Sequence, residues 1–238
     1  MSRPFLTAEW RHLAMLNFAI DPEVPRPRVP AGTELDSWRG ETLVSLVGFQ
    51  FLNTRLRGVP IPFHRDFNEV NLRFYVRREA AGELRRGVVF IREVVPRAAI
   101  AAVARWVYNE PYAACPMRGG PRDRGAGYAW RHARRWNSFD VSVEGEPRAL
   151  IAGSEAEFIT EHYWGYTRQR DGGTVEYEVR HPPWRVWTAL EAQLDVDVRG
   201  FYGDAYAEAL AARPRSSFLA SGSAVEVMPA GRLPVRPR

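Results

Sequence analysis

The sequence contains no lysine, because all 33 basic residues counted as Lys+Arg among its 238 positions are arginine. A Schiff base requires a neutral amine as nucleophile, and the arginine guanidinium stays protonated and is not nucleophilic. The N-terminal amine is the one remaining candidate. The missing lysine therefore excludes side-chain Schiff-base chemistry.

Cysteine is nearly absent, since Cys115 is the only one. One cysteine excludes an intramolecular disulfide and a multi-thiolate zinc cluster. Cys115 follows the C-terminus of a predicted helix, whose dipole raises a thiol pKa, so we favour a structural role over a nucleophilic one. The five histidines show no HExxH or paired-ligand spacing, and Walker, GxGxxG and GxSxG motifs are missing. We predict no metal site and no cofactor.

Long apolar runs are also lacking. The longest, such as Thr42 to Phe51, are about half of the roughly 20 residues that a transmembrane helix needs. A charged-then-apolar leader is not seen at the N-terminus, so we expect a soluble, cytoplasmic protein without a membrane partner.

The net charge of +5 and the pI near 9.7 could indicate nucleic-acid binding. The arginines, however, are scattered among 28 acidic residues. Their densest group, Arg118 to Arg135, lies in a Gly-rich segment that we predict to be an exposed loop leading into a strand. We therefore expect no nucleic-acid partner.

Most of the chain has the pattern of β-strands. Apolar, β-branched and aromatic residues are concentrated or alternate with polar ones in several segments. Asp171-Gly172-Gly173 marks a hairpin turn between two further strands. The predicted strands include Trp10 to Ile20, Thr42 to Phe51, Val70 to Val76, Gly87 to Val95, Tyr128 to Val143 and Ser223 to Pro229.

Three helices are predicted. Arg97 to Tyr108 has apolar residues at helical spacing and ends before Pro111, Ser154 and Glu157 form a capping box, and Phe201 to Arg213 is a weaker helical segment. Many strands without βαβ alternation indicate a mainly β fold, a closed or nearly closed antiparallel barrel with helices at its ends. We predict one domain over residues 1–231 and a Pro/Arg-rich tail over 232–238.

Candidate site residues lie on predicted strands and corners. Glu69 and Arg73 share one face of a strand whose other face is apolar, so they line a cavity if the barrel interior is polar, or form a surface ion pair if it is not. Read as a strand residue, His162 either lines the barrel or packs within it. In the HPPW segment, His181 either belongs to a rigid corner or contacts a ligand.

Five ordered blocks resemble one family: FNEVNLRFYVR, the segment Arg97 to Met117 with YNEPYAACPM, GSEAEFITEHYWGYT, HPPW and SGSAVEVMP. They are similar to the YqjF-like uncharacterised family, and the resemblance extends from about Trp10 to Met228. That family is grouped with the acetoacetate decarboxylases, which implies a cone-shaped β-barrel around a small acidic-substrate pocket.

The resemblance also implies where a site would lie. The decarboxylases use a lysine that follows a helix and a proline, and the matching position here is Tyr112, after Pro111. Their glutamate partner matches Glu69 in place, and a substrate-facing arginine falls near Arg11 by spacing alone. Acetoacetate decarboxylation by a lysine Schiff base is thus excluded.

Three hypotheses follow. The first is a barrel that binds a small, anionic carboxylate or keto acid, with Glu69, Tyr112 and Arg11 at its centre. Further ligand contacts would come from Arg73, Arg105, Glu110, His162 and His181. The second is a lyase or isomerase in which Glu69 or Tyr112 moves a proton, and the third is a partner-binding or structural protein with a filled barrel. A homo-oligomer is left open.

Overall fold

The computed structural model describes residues 3–60, 62, 64–98 and 109–234, and the predicted helix Arg97 to Tyr108 lies largely outside this part of the chain. The strands are β1 (Leu6–Ala19), β2 (Glu34–Leu35), β3 (Leu43–Leu56), β4 (Val59–Pro60), β5 (Phe67–Ala80), β6 (Glu83–Val95), β7 (Tyr112–Ala114), β8 (Met117–Arg122), β9 (Gly125–His132), β10 (Arg135–Val143), β11 (Trp164–Arg168), β12 (Thr174–Arg180), β13 (Val186–Asp195), β14 (Ser216–Val227) and β15 (Gly231–Arg232).

Seven of these strands form a closed ring in the order β12-β11-β6-β5-β3-β1-β14. The ring closes where β12 pairs with β14, at Val179 opposite Val227 and Arg180 opposite Glu226. The mainly β, barrel-like prediction is confirmed. Pairing among the described strands is mainly antiparallel, and the parallel pairs are those of β11 with β6 and of β7 with β6. The chain makes a long excursion between β6 and β11 and returns running in the same direction.

Strands β13, β10, β9 and β8 continue from β14 as an antiparallel arm outside the ring. The segment Arg118 to Arg135, predicted as an exposed loop leading into a strand, forms most of β8 and β9, so the loop prediction is wrong for the residues before Tyr128. The physical reason is that Tyr128 and Trp130 are buried against the ring. The arm approaches the ring closely at Gly48, where an added Cβ would lie 2.5 Å from the Tyr128 ring.

The ring strands have two apolar faces. One face belongs to a cluster shared with the arm, and in β5 it carries Val70, Leu72, Phe74 and Val76. The opposite face belongs to an interior cluster that includes Leu13, Val47, Phe49, Phe51 and Val88. The residues of β5 that point inward are therefore the polar Glu69, Asn71 and Arg73, as alternation along a strand requires.

The helices of the described residues are short: Glu155–Thr160, Val198–Tyr202 and Ala207–Ala211, with 3₁₀ turns at Arg26–Arg28 and Asp204–Tyr206. None of them is long and apolar enough to cross a membrane. Gly203, at φ +99°, interrupts the predicted helix Phe201 to Arg213. Residues 232 and 233 belong to the sheet rather than to the predicted tail, since Arg232 pairs with Val175 and the Leu233 amide donates to Thr174 at 2.9 Å.

The helix Glu155–Thr160 begins at the predicted capping residue. The Ser154 hydroxyl accepts a hydrogen bond from the Glu157 amide at 3.2 Å, and the Glu157 carboxylate accepts one from the Gly153 amide at 2.7 Å. Phe158 packs its ring 5.3 Å from that of Tyr75. Because both rings belong to the interior cluster, this helix contacts the inside of the barrel.

Candidate active site

The ring encloses a cavity of about 300 Å³, a volume at the lower end of the range for small-molecule sites. Its walls are largely apolar, with Leu13, Phe49, Phe51 and Val88 among the lining residues. One part of the lining is polar and acidic. It consists of Glu69, Asn71, Arg73, Glu93, Glu110, Tyr112, His162 and Tyr177.

Glu69 is the central residue of the polar lining and lies on the inward face of β5. Its side chain is buried, and its two carboxylate oxygens accept hydrogen bonds from different donors. Asn71 Nδ2 donates to Oε1 at 3.1 Å, and the Tyr112 hydroxyl donates to Oε2 at 3.1 Å. Of the two alternatives that the sequence left open for Glu69 and Arg73, the structure has both residues in the lining of the cavity.

Tyr112 reaches Glu69 because β7 runs parallel to β6, with Tyr112 beside Glu93 in the register. Glu93 in turn lies opposite Asn71 across the antiparallel β5–β6 pair. Three strands thus place Glu69, Glu93 and Tyr112 next to one another. Sequence reasoning identified the first and the last of these and missed Glu93.

Glu110 forms the third carboxyl group of the site, just before β7. It is buried, and one of its carboxylate oxygens accepts a short hydrogen bond from the Tyr177 hydroxyl on β12. Glu110 therefore ties the segment before β7 to β12, which is two strands away from β6 in the ring. We call Glu69, Glu93 and Glu110 the acid cluster.

Burial dominates the electrostatics of the acid cluster. Loss of hydration raises the pKa of Glu69 to about 7 against hydrogen bonds from Asn71 and Tyr112, and raises that of Glu110 to about 7 against the bond from Tyr177. For Glu93, burial and then the charges of Glu110 and Glu69 raise the pKa well above its usual range. The same causes, burial first, raise the pKa of Tyr112, so its hydroxyl stays a proton donor.

Arg73 is the one arginine in the described lining of the cavity. Its Nε atom is buried and has no hydrogen-bond partner among the described residues, and its guanidinium carbon lies 5.9 Å from the centre of the Tyr75 ring. No ion pair found in this part of the chain involves Arg73. A guanidinium in this state is available to an anionic group of a ligand.

His162 lies at the wall of the cavity, in a short segment before β11 and not on a strand. Its Nε2 is 3.4 Å from Asp36 Oδ2, and its ring packs 4.6 Å from Tyr75 and 4.9 Å from Phe158. Burial lowers its pKa, against the opposing effect of Asp36, so the imidazole is neutral near pH 7. His162 was predicted to lie on a strand, and this is wrong. It does line the barrel, which was one of the two positions considered for it.

Three predicted site residues are not brought to this cavity. Arg11 binds Glu9 on its own strand at 2.6 Å and is absent from the described lining. His181 stacks on Trp184, with ring centres 4.2 Å apart, as part of the corner that the two prolines form. Arg105 lies outside the described residues.

Cys115 is buried in the cluster shared by ring and arm. Burial raises the pKa of its thiol, and the nearby charge of Arg92 opposes this effect. The direction of the shift agrees with the expectation, although its cause is desolvation and not a helix dipole.

Three functional candidates were not identified from the sequence: Asn71, Glu93 and Tyr177. Glu93 carried a signal, since it is an isolated acid within the apolar run of β6. Asn71 stands between Glu69 and Arg73 on the same face of β5. Tyr177 has no signal of its own in the sequence, because it reaches the site only through ring closure.

Comparison with known proteins agrees with this architecture. A model of the DUF2071 family, described as an uncharacterized conserved protein, matches residues 7–224. The uncharacterized protein YqjF of Bacillus subtilis (strain 168) is 27% identical over 195 residues, which are 79% of this chain and 77% of YqjF.

Solved structures share the fold at low sequence identity. Acetoacetate decarboxylase from Legionella pneumophila has a TM-score of 0.69 at 12% identity, over 98% of this chain and 88% of that chain. The enduracididine biosynthesis enzyme MppR, complexed with pyruvate, has a TM-score of 0.63 at 15% identity, over 98% of this chain and 90% of that chain. The chain thus has the acetoacetate decarboxylase-like fold, and it belongs to the DUF2071 family of uncharacterized conserved proteins.

Proposed function

We propose that the cavity binds a small keto acid, with the ligand's carboxylate at Arg73 and its carbonyl at the Tyr112–Glu69 pair. The observation that carries the proposal is the hydrogen bond of 3.1 Å from Tyr112 to Glu69 inside a largely apolar cavity. Polar groups at one end of an apolar pocket are typical of sites that orient a compact ligand.

Arg73 supports a carboxylate as the anionic group. Its buried Nε lacks a partner among the described residues, and no other arginine contributes to the described lining. Guanidinium–carboxylate pairs form charge-assisted hydrogen bonds, which are stronger than neutral ones. The complex of the structurally similar MppR with pyruvate fits the same ligand class.

Tyr112 supports a carbonyl as the second group. It stands where the resembling decarboxylases keep their lysine, and its raised pKa keeps the hydroxyl protonated. A phenol at that position donates a hydrogen bond to a carbonyl oxygen and forms no covalent adduct with it. A cavity with Tyr112 at this position would therefore bind a keto acid without forming a Schiff base.

Calorimetric titration with acetoacetate and with acetone separates these contributions, because acetone lacks the carboxylate. We expect Arg73→Gln to weaken acetoacetate binding by about 10- to 100-fold, the loss typical of a charged hydrogen bond. Acetone binding should change little. Arg77→Gln is the matched control, since Arg77 lies on the same strand and pairs with Glu34 at the surface. Equal acetoacetate affinities of the Arg73 and Arg77 variants would contradict the proposal.

Proton transfer is a second candidate function for the same cavity. Glu69 has a pKa of about 7, which suits a general base at neutral pH. In this reaction the Glu69 carboxylate takes a proton from the carbon beside the carbonyl, Tyr112 donates a hydrogen bond to the resulting enolate oxygen, and the proton then returns.

Deuterium exchange at that carbon, followed by NMR, tests the second candidate. We expect Glu69→Gln to slow the exchange by about 100-fold or more, because an amide is not a base. The amide oxygen can still accept one of the two hydrogen bonds, from Asn71 or from Tyr112, whereas its NH2 group only donates. Glu23→Gln, on an exposed pair with Arg26, is the control. If keto acids bind but none of them shows deuterium exchange, proton transfer is ruled out as a function and ligand binding is left as the proposed one.

A further inference from the structure

The acid cluster has more hydrogen-bond acceptors than donors. Glu69, Glu93 and Glu110 are all buried, with exposed fractions of 2%, 1% and 6%. The donors that reach them from described side chains come from Asn71, Tyr112, Tyr177 and Thr167. None of the ion pairs formed by the described residues includes a member of the cluster.

Two unpartnered acceptors belong to neighbouring residues of the cavity lining. Glu93 Oε2 and Asn71 Oδ1 are buried, and each lacks a hydrogen-bond partner among the described residues. The two residues are direct neighbours across the β5–β6 pair, and both line the cavity. Asn71 has already used its amide N–H to donate to Glu69. The raised pKa of Glu93 favours a proton that can fill this place in the ligand-free cavity, and a donor group of a ligand can take the place of that proton.

Arg73, the arginine of the described cavity lining, does not neutralise the whole cluster. Arg73 lowers the pKa of Glu69, but the leading influences on Glu93 and Glu110 include no cation. Arg73 is one inward position along β5 from Asn71, roughly 7 Å at the usual strand rise. A positive and a negative subsite therefore lie side by side in one small cavity.

We propose that the ligand is a small amino-carboxylate, an amino-substituted keto acid, whose ammonium group binds Glu93 and Asn71 while its carboxylate faces Arg73. An ammonium carries three donors and no acceptor, which matches the unpartnered Glu93 and Asn71 oxygens. The assignment rests on the proposed function for the carboxylate contact at Arg73 and adds the amine as the specificity-determining group. The spacing of the two subsites favours a compact molecule.

Proton linkage distinguishes an ammonium from a neutral donor at this place. A cation beside the acid cluster favours the ionised carboxylates, so binding near pH 7 releases protons from groups that burial holds partly protonated. A simple carboxylate lacks this cation, and its negative charge instead favours proton uptake. Titration calorimetry in two buffers of different ionisation enthalpy measures whether protons are released or taken up when the ligand binds.

The experiment compares 3-aminobutyrate with 3-hydroxybutyrate, which have the same number of heavy atoms, and extends to shorter and longer amino acids with their hydroxy isosteres. We expect at least one amine to bind about tenfold or more tighter than its hydroxy isostere, as for a charged hydrogen bond, and to release protons. Glu93→Gln should remove most of this preference, and Glu110→Gln provides a second variant. Glu23→Gln is the control, and thermal unfolding verifies that each variant is folded.

The outcomes separate the two proposals. If hydroxy acids bind through Arg73 and amines bind no better, the amino-carboxylate assignment is wrong and the proposed function stands. Proton uptake on amine binding, or an amine preference that survives in both Glu93→Gln and Glu110→Gln, also contradicts the assignment. If neither amino nor hydroxy acids bind, and acetoacetate does not bind, both proposals fail.

Discussion

Replacing Glu110 by glutamine should make the protein less sensitive to alkaline pH. Burial raises the pKa of Glu110 from 4.5 to about 7, so the folded state holds a proton that the unfolded state has lost. The free energy of unfolding is therefore unaffected by this group below pH 4.5, falls as the pH rises towards 7, and stays reduced above it. A shift of this size corresponds to about 3 kcal/mol when both states are ionised.

Glutamine keeps an oxygen that accepts the hydrogen bond from Tyr177 and cannot ionise. In Glu110→Gln we therefore expect the fall in unfolding free energy between about pH 5 and about pH 8 to shrink by roughly 2 kcal/mol, the part of the linkage within that window. The charge of Glu110 also raises the pKa of Glu93, so removing it acts in the same direction.

Urea unfolding at several pH values measures this difference directly. The control is Glu23→Gln, because Glu23 lies on the surface with its side chain 68% exposed. The reasoning is refuted if the Glu110 variant and the wild type lose the same free energy over this pH range, since the carboxyl group would then be ionised without penalty in the folded state.

Three further predictions concern packing, capping and chemistry. Gly48→Ala should destabilise the protein by about 1–3 kcal/mol in thermal unfolding, because its Cβ would meet the rings of Tyr128 and Phe139 at 2.5 and 2.7 Å; an unchanged melting temperature would contradict the close approach of the arm. Ser154→Ala should cost about 1 kcal/mol through loss of the helix cap, and Ser154→Asp, which can still cap, should restore it. Borohydride treatment with acetoacetate should leave the intact mass unchanged, whereas an adduct would refute the exclusion of Schiff-base chemistry.

The shared polar face of Glu69 and Arg73 on β5 could be predicted from the sequence because strand alternation is local, whereas alternation alone left open whether that face points into the barrel. Glu69 and Arg73 are four residues apart, and the apolar residues between them mark the opposite face. A β-bulge between Leu72 and Arg73 affects the pairing with β6 without removing Arg73 from the cavity. The resemblance to the decarboxylases then supplied Tyr112, which no local pattern places beside Glu69.

Arg11 shows where this reasoning fails. The pairing of β1 with β3 shifts between Arg11 and Ala14, and His12 has a φ of +54°. As a result Trp10 and Leu13 both line the cavity, although residues three apart on a regular strand face opposite sides. Spacing along a regular strand therefore placed Arg11 on the face that lines the cavity, and the irregular pairing of β1 makes that inference wrong.

Glu93 and Tyr177 depended on long-range pairing. Glu93 joins the site because β7 returns in parallel to β6, and Tyr177 joins it because β12 closes the ring with β14. Neither pairing leaves a local signature in the sequence. The isolated acid within β6 indicated that Glu93 was unusual, but not which residues it meets.

Carboxyl NMR of protein labelled with ¹³C at the glutamate side chains tests the central claim, that the acid cluster is the ligand site, most directly. Variants of Glu69, Glu93 and Glu110 to glutamine assign the three resonances. We expect those of Glu69 and Glu110 to titrate near pH 7, in keeping with a pKa of about 7 for each, and all three to shift when a keto or amino acid binds. A ligand that binds while these resonances stay unchanged would contradict the account.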